Sequence, residues 1–300
     1  MNRLQRSLTL ALILVLAADG KCSLTARAWS EPTTQHTDAA LKGDLSGSGP
    51  VLGVEFYYRK RGQLSAPGQL TEYVRGVAVI GVGKNSRVLD RWESEPTTIR
   101  SFYPELNKLW RLPRARRMLI TTAVQYGGRV LKLYAFQWQE GKLRQVGVWE
   151  GENFSVKHMG QPEQLVIVLK PSDYEIPELY AWRDGQFRKA TDLFPDFYSD
   201  LGEAYAKVLK NPQALPAAAL VQSCRLALQA YRLAGAASRG RSACTAVRER
   251  IAQGTAVVPG LTKESAEQFE GEKKAAITEI DILLRQFKGT DQTKPQTEPF

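Results

Sequence analysis

Histidine is nearly missing from this chain: His36 and His158 are the only two in 300 residues. A nucleophile–imidazole–carboxylate triad and a two-histidine metal centre both need imidazoles in number. With His36 in a polar N-terminal stretch, neither can be assembled, and a zinc site is excluded. No serine stands in a Gly-x-Ser-x-Gly setting, and no glycine-rich loop leads into a Lys-Ser or Lys-Thr pair. Hydrolase elbows and phosphate loops are therefore absent, and no cofactor is expected.

Long apolar runs are also scarce. The one candidate, Leu8 to Ala18, is too short to span a bilayer comfortably. Its setting is that of an export signal over residues 1–28: Arg3 and Arg6 precede it, and Ala26-Arg27-Ala28 has the small–any–small spacing of a cleavage site. A cut after Gly20 is the alternative. Asp19, Gly20 and Lys21 precede Cys22, whereas lipid attachment calls for small apolar residues there. No transmembrane anchor is expected once the signal is removed, and the expected location is periplasmic or secreted.

Cysteine is limited to three, and cleavage at Ala28 removes Cys22. In an oxidising compartment the remaining two, Cys224 and Cys244, form a disulfide by default. Both sit in apolar helical patterns, and a hairpin turning near Gly235 to Gly240 brings them side by side. Such a link contributes roughly 3 kcal/mol in the chain-entropy model. The plainer alternative is two unrelated core thiols, and an earlier cut that spares Cys22 leaves the pairing open.

Acidic residues number 31 against 41 lysines and arginines, a net charge of +10. The signal segment accounts for three of these charges (Arg3, Arg6, Lys21 and Arg27 against Asp19), which leaves +7. A basic surface favours phospholipid headgroups, polysaccharide or nucleic acid. Nucleic acid is not expected as a partner, because an exported chain seldom meets it and no recognition module is present.

The chain is organised in blocks. Residues 29–50 are rich in Ser, Thr, Gly, Asp and Pro and read as a flexible leader. Residues 51–195 favour strands: Val54 to Tyr58, Tyr73 to Val82, Met118 to Val124, Val130 to Trp138, Leu143 to Trp149, Leu165 to Leu169 and Leu179 to Trp182. Gly127-Gly128 and Asp184-Gly185 suit two-residue hairpin turns. Pro96 to Pro113, with Trp110, reads as an excursion containing a short helix. In residues 196–288 the period becomes helical. Phe197, Leu201, Tyr205 and Val208 share a face, as do Leu220, Cys224, Leu228 and Tyr231, and then Cys244, Val247 and Ile251. Thr262 is a candidate N-cap for a last helix carrying Phe269, Ala276, Ile277, Ile280, Leu284 and Phe287. Residues 289–300 read as a disordered tail. The expected class is α+β: an N-terminal antiparallel β module, partial-propeller-like or an open meander sheet, followed by a C-terminal α-helical module.

Within the β region, Leu133-Tyr134-Ala135 returns as Leu179-Tyr180-Ala181 after 46 residues, and Trp138 returns as Trp182 after 44. Losing two residues leaves every strand side chain on its original face. Each copy runs from an apolar strand (Leu119 to Thr122; Leu165 to Val168) through a second strand ending in Trp, a glycine turn, and a third strand opening at Leu143 or Phe187. A fainter copy covers Val77 to Trp92. This unit resembles the FG-GAP or VCBS-type blade of secreted β-propeller proteins over about residues 77–194. That resemblance implies a calcium loop of alternating aspartates before the first strand. Here Pro113 to Arg117 and Met159 to Glu163 carry one carboxylate and several cations, so calcium is not carried over and no metal is expected. The length allows about three units, short of the ~4 blades a closed propeller needs.

Two groups of residues remain as candidates for function. Asp173, Glu175 and Glu178 lie close enough in sequence to share acid and base roles in a glycan hydrolase, but an exposed turn around Pro171 and Pro177 explains them better, since glycosidase pairs normally come from separated segments. Arg111, Arg114, Arg116 and Arg117 beside Trp110 form the densest positive cluster, suited to gripping phosphate or sulfate and stacking on a ring. Their plain reading is a solvated, solubilising loop. Tyr134, Phe136 and Trp138 read as core packing. The sequence thus points to an exported, non-enzymatic binding or assembly protein of the bacterial cell envelope that contacts a protein or anionic envelope partner. The alternative is a carboxylate-dependent glycan hydrolase of the envelope.

Overall fold

The computed structural model describes residues 35–61, 71–83, 86–100, 103–113, 115–210, 215–254 and 266–288. The expected signal segment with Cys22, the cap Thr262, Arg114 and the tail 289–300 lie outside the described residues. The chain divides into two compact units, Met1–Leu169 with Tyr180–Arg188, and Lys170–Leu179 with Lys189–Phe300.

Among the described residues, twelve strands form three four-stranded sheets, each built from four consecutive strands. The first sheet runs β1 (Gln35–Gly43), β2 (Leu52–Arg61), β3 (Glu72–Gly81), β4 (Val88–Glu93). The second runs β5 (Lys108–Arg111), β6 (Met118–Gly127), β7 (Val130–Gln139), β8 (Lys142–Gly151). The third runs β9 (Asn153–Met159), β10 (Gln164–Lys170), β11 (Glu178–Arg183), β12 (Gln186–Lys189). Among the described residues no sheet closes into a barrel, and the fold is α+β with open sheets.

Side chains alternate across a strand, and β7 shows what that alternation does here. Leu131, Leu133 and Ala135 join Leu119, Phe154, Leu165 and Ile167 in one core. Tyr134 and Phe136 point the other way and join Val54, Phe56, Val77 and Val79 in another, with Trp92 packed at its edge. The second sheet therefore shares one core with the first sheet and one with the third. This burial on both faces explains why β6 and β7 carry nearly continuous apolar runs.

The sequence repeat is a repeat of hairpins. Glu140 and Gly141 adopt φ of 52° and 76°, and Asp184 and Gly185 adopt 48° and 81°. Two consecutive left-handed residues make the turn whose twist matches the flanking strands. Leu133 and Leu179, like Ala135 and Ala181, are fully buried.

Three expectations are corrected. The supposed leader 29–50 contains β1, which pairs antiparallel with β2 from Gln35↔Arg59 to Gly43↔Leu52. The supposed excursion around Trp110 contains β5, where Trp110 pairs with Leu119. The first helix buries Tyr198, Gly202, Ala206 and Leu209 rather than the stripe from Phe197 to Val208, and Val208 is 41% exposed. Gly202 explains this rotation: a Cβ there would stand 2.9 Å from the Tyr231 ring, so only glycine lets the helix turn this face inward.

The helical unit has four described helices: α1 (Pro195–Lys210), α2 (Ala217–Leu233), α3 (Ala237–Ala252) and α4 (Ala266–Gln286). Leu220, Cys224, Leu228, Cys244, Val247, Ile251, Ile280 and Leu283 meet in one core. The turn between α2 and α3 uses Gly235 at φ 71°, so the two cysteines are neighbours as their spacing suggested. They are free thiols, not a disulfide, with the Cys244 thiol donating to the Cys224 carbonyl at 3.5 Å. No described helix is long and apolar enough to cross a membrane.

Candidate functional site

The arginine cluster occupies the end of β5 and the loop into β6. In β5 the two ends, Lys108 and Arg111, are exposed and the middle residues, Leu109 and Trp110, are partly buried. The Trp110 indole nitrogen donates to Thr121 Oγ1 at 2.8 Å, and the Thr121 hydroxyl donates to the Leu106 carbonyl at 2.7 Å. Lys108 Nζ lies 5.2 Å from the Trp110 ring centre. Trp110 is thus an anchor for the strand, packed against the second core, rather than a free stacking platform.

The loop after it is held from three directions. Leu112 N–H donates to the Arg117 carbonyl at 3.1 Å, and Ala115 N–H to the Leu112 carbonyl at 3.2 Å, closing the loop on itself. Met118 N–H donates to the Leu45 carbonyl at 3.3 Å. His158 Nε2 donates to the Arg111 carbonyl at 3.0 Å, while its Nδ1 stands 3.6 Å from Glu163. The connection after β1 therefore flanks the arginine loop directly, and β9 reaches it through His158. The contact with the first of these is tight. A Cβ on Gly47, whose φ is 82°, would fall 2.6 Å from the Arg116 backbone carbonyl carbon.

Asp44 organises that neighbouring loop. Its Oδ1 accepts from Ser46 N–H (3.2 Å), Ser46 Oγ (3.0 Å), Gly47 N–H (2.8 Å) and Gly49 N–H (3.3 Å). Desolvation pulls its carboxyl up, but the donors from Ser46, Gly47 and Gly49 prevail and hold it below the usual carboxylate range. The carboxylate is spent on its own loop.

Arg111, Arg116 and Arg117 are exposed, and among the described residues no carboxylate pairs with their side chains. Five guanidinium donors each, on a braced loop, are suited to bidentate contact with phosphate, sulfate or carboxylate. No signal in the sequence marked His158 as a brace or Asp44 as a loop organiser.

The carboxylates proposed for acid–base work are dispersed: Asp173 and Glu175 lie on an exposed turn, and the partly buried Glu178 opens β11. Asp173 pairs with Lys170 at 2.7 Å and Glu178 with Lys189 at 2.5 Å, while Glu175 is exposed and its N–H closes the turn to the Ser172 carbonyl. Among the described residues no group of three or more His, Cys, Asp or Glu side chains is placed to hold a metal ion. The chain matches no protein-family model, and no curated protein sequence matches it.

Proposed function

We propose that the protein is exported and serves the bacterial cell envelope as a non-enzymatic binding or assembly component, with the loop of Arg111, Arg116 and Arg117 gripping an anionic envelope partner. The carrying observation is a set of exposed guanidinium groups, without carboxylate partners among the described residues, on a loop fixed by Leu112, Leu45 and His158. A solubilising cation needs no such bracing. A recognition loop gains from it, because a pre-ordered contact loses less conformational freedom on binding. The net charge of +7 left once the signal segment is removed adds long-range attraction toward an anionic surface. In the exported protein, the adjacent Cys224 and Cys244 thiols are joined as a covalent brace between α2 and α3.

The test uses the full chain and vesicles of phosphatidylglycerol, with crosslinking in the native envelope in parallel. Arg111, Arg116 and Arg117 changed together to Ser should leave folding intact and abolish both vesicle sedimentation and the native crosslink. Moderate salt should release the wild-type protein. A triple variant that is captured like wild type in both assays overturns the reading.

A further inference from the structure

A second site lies where the last strand of the first sheet meets the second sheet, and it uses none of the arginine-loop residues. β4 is tied to β8 there by Asp90, whose Oδ2 accepts from Leu143 N–H at 2.7 Å. Near this tie the sheets border an open, shallow cleft of about 350 Å3, within the volume range of small-molecule sites.

Trp92 forms one wall. Its ring rests on Tyr134 and Phe136, with centroids 4.5 and 4.9 Å away, and the partly buried indole lines the cleft. Opposite it, Lys132 and Glu150 face each other across β7 and β8 with Nζ–Oε2 at 3.5 Å. Glu95 completes the rim. The Ser94 hydroxyl donates to the Glu95 carbonyl at 2.7 Å and accepts from Arg75 N–H at 3.1 Å, which fixes the Glu95 backbone. Glu95 and Glu150 both line the cleft, as does Tyr134, whose phenol is pushed well above its usual range by burial and the Tyr126 hydroxyl. Glu93 also borders the cleft, with its carboxylate engaged by Arg59 and the Tyr57 hydroxyl.

We infer that this cleft binds a sugar ring of an uncharged glycan. A pyranose has an apolar C–H face that matches an indole and a rim of hydroxyls that both donate and accept. Trp92 supplies the face, Glu95 and Glu150 accept, and Lys132 donates. Two carboxylates against one lysine disfavour uronic or sialic acids. A quaternary ammonium ligand fits less well: it needs aromatic faces on several sides, whereas Trp149, which also borders the cleft, commits its ring to Tyr180 and Phe187.

Calorimetric titration of the full chain decides the matter with four probes: chitotriose, cellotriose, trigalacturonate and choline. Saturable binding of at least one neutral trisaccharide, with no binding of trigalacturonate, is expected. The Trp92→Ala variant should lose about tenfold in affinity or more. Because Trp92 also packs on the core, the exposed pair Glu95→Gln and Glu150→Gln provides a second variant with the same expected loss and an unchanged melting temperature. No binding of either neutral sugar, preference for trigalacturonate or choline, or full affinity in the double carboxylate variant overturns the inference. Neither the probes nor the variants involve the arginine loop, so this outcome is independent of vesicle capture.

Discussion

The Asp38 carboxylate in β1 forms an ion pair with the Arg75 guanidinium in β3, across the intervening β2, with side chains 13% and 4% exposed. The pairing register between β1 and β2 skips at Asp38, so this residue is a bulge, and the bulge aims its side chain at Arg75. Burial pushes the Asp38 carboxyl up and the Arg75 guanidinium down in spite of their attraction. A buried pair of this kind is weakly stabilising as a whole and costly to break. Asp38→Ala or Arg75→Leu alone should each cost about 3 kcal/mol or more. The double variant should cost much less than their sum, as read by urea unfolding in a double-mutant cycle. Additive losses would show that the two charges do not act as a pair.

Glu55 raises a different expectation. It is 8% exposed in the middle of β2, and desolvation raises its carboxyl pKa. Because the folded-state pKa lies above the unfolded one, the folded protein holds an extra proton between the two values. Stability is therefore full below the ordinary carboxyl range and declines as pH rises through the raised value. Glu55→Gln removes the buried charge. It should melt a few degrees higher than wild type at pH 7, with the gap closing toward pH 4. A constant gap across that range would mean that Glu55 is not the titrating group.

How far the fold was legible follows strand position. The central strands β6 and β7 are buried on both faces and carry mostly apolar and β-branched residues, so the pattern marks them. The first strand of each sheet, β1, β5 or β9, is an edge strand. β9 buries only Phe154 and Val156, and β1 is polar enough to pass for a leader. Their partners, not their composition, make them strands. The cysteine neighbours followed from spacing around Gly235. The α1 face was missed because Gly202, invisible to an apolar count, lets the Tyr231 ring approach. At the site, clustering identified the arginines, but the bracing by His158 and Leu45 and the cleft at Trp92 depend on contacts between sheets that no local pattern records.

Gly76 provides a steric prediction. It pairs with Tyr57, and a Cβ at Gly76 would sit 2.1 Å from that ring. The ring cannot yield easily, being 1% exposed with its hydroxyl donating to Glu93 Oε1 at 3.0 Å. Gly76→Ala should lose about 1–3 kcal/mol by overpacking. The same change in a Tyr57→Leu background should cost much less, as judged by chemical denaturation. Equal costs in both backgrounds would mean that the ring is not the obstacle.

Cys224 and Cys244 yield the last prediction. The Cys244 thiol and burial together push the Cys224 thiol far above its usual pKa. Both side chains are fully buried, so in the folded reduced protein neither sulfur offers an accessible thiolate for exchange. Oxidation therefore belongs to folding rather than to the finished fold. Refolding in oxidised glutathione should remove two thiol hydrogens from the protein, convert one glutathione disulfide to two glutathiones, and lower the intact mass by about 2 Da. The oxidised form should be more stable than the reduced form by roughly 3 kcal/mol, since the bridge closes a loop of about twenty residues in the unfolded chain. Native folded protein kept reduced and then exposed to the same buffer should oxidise only as fast as it unfolds. Rapid oxidation without unfolding would show that the thiols are reachable, and an oxidised form no more stable than the reduced one would remove the brace from the structural account.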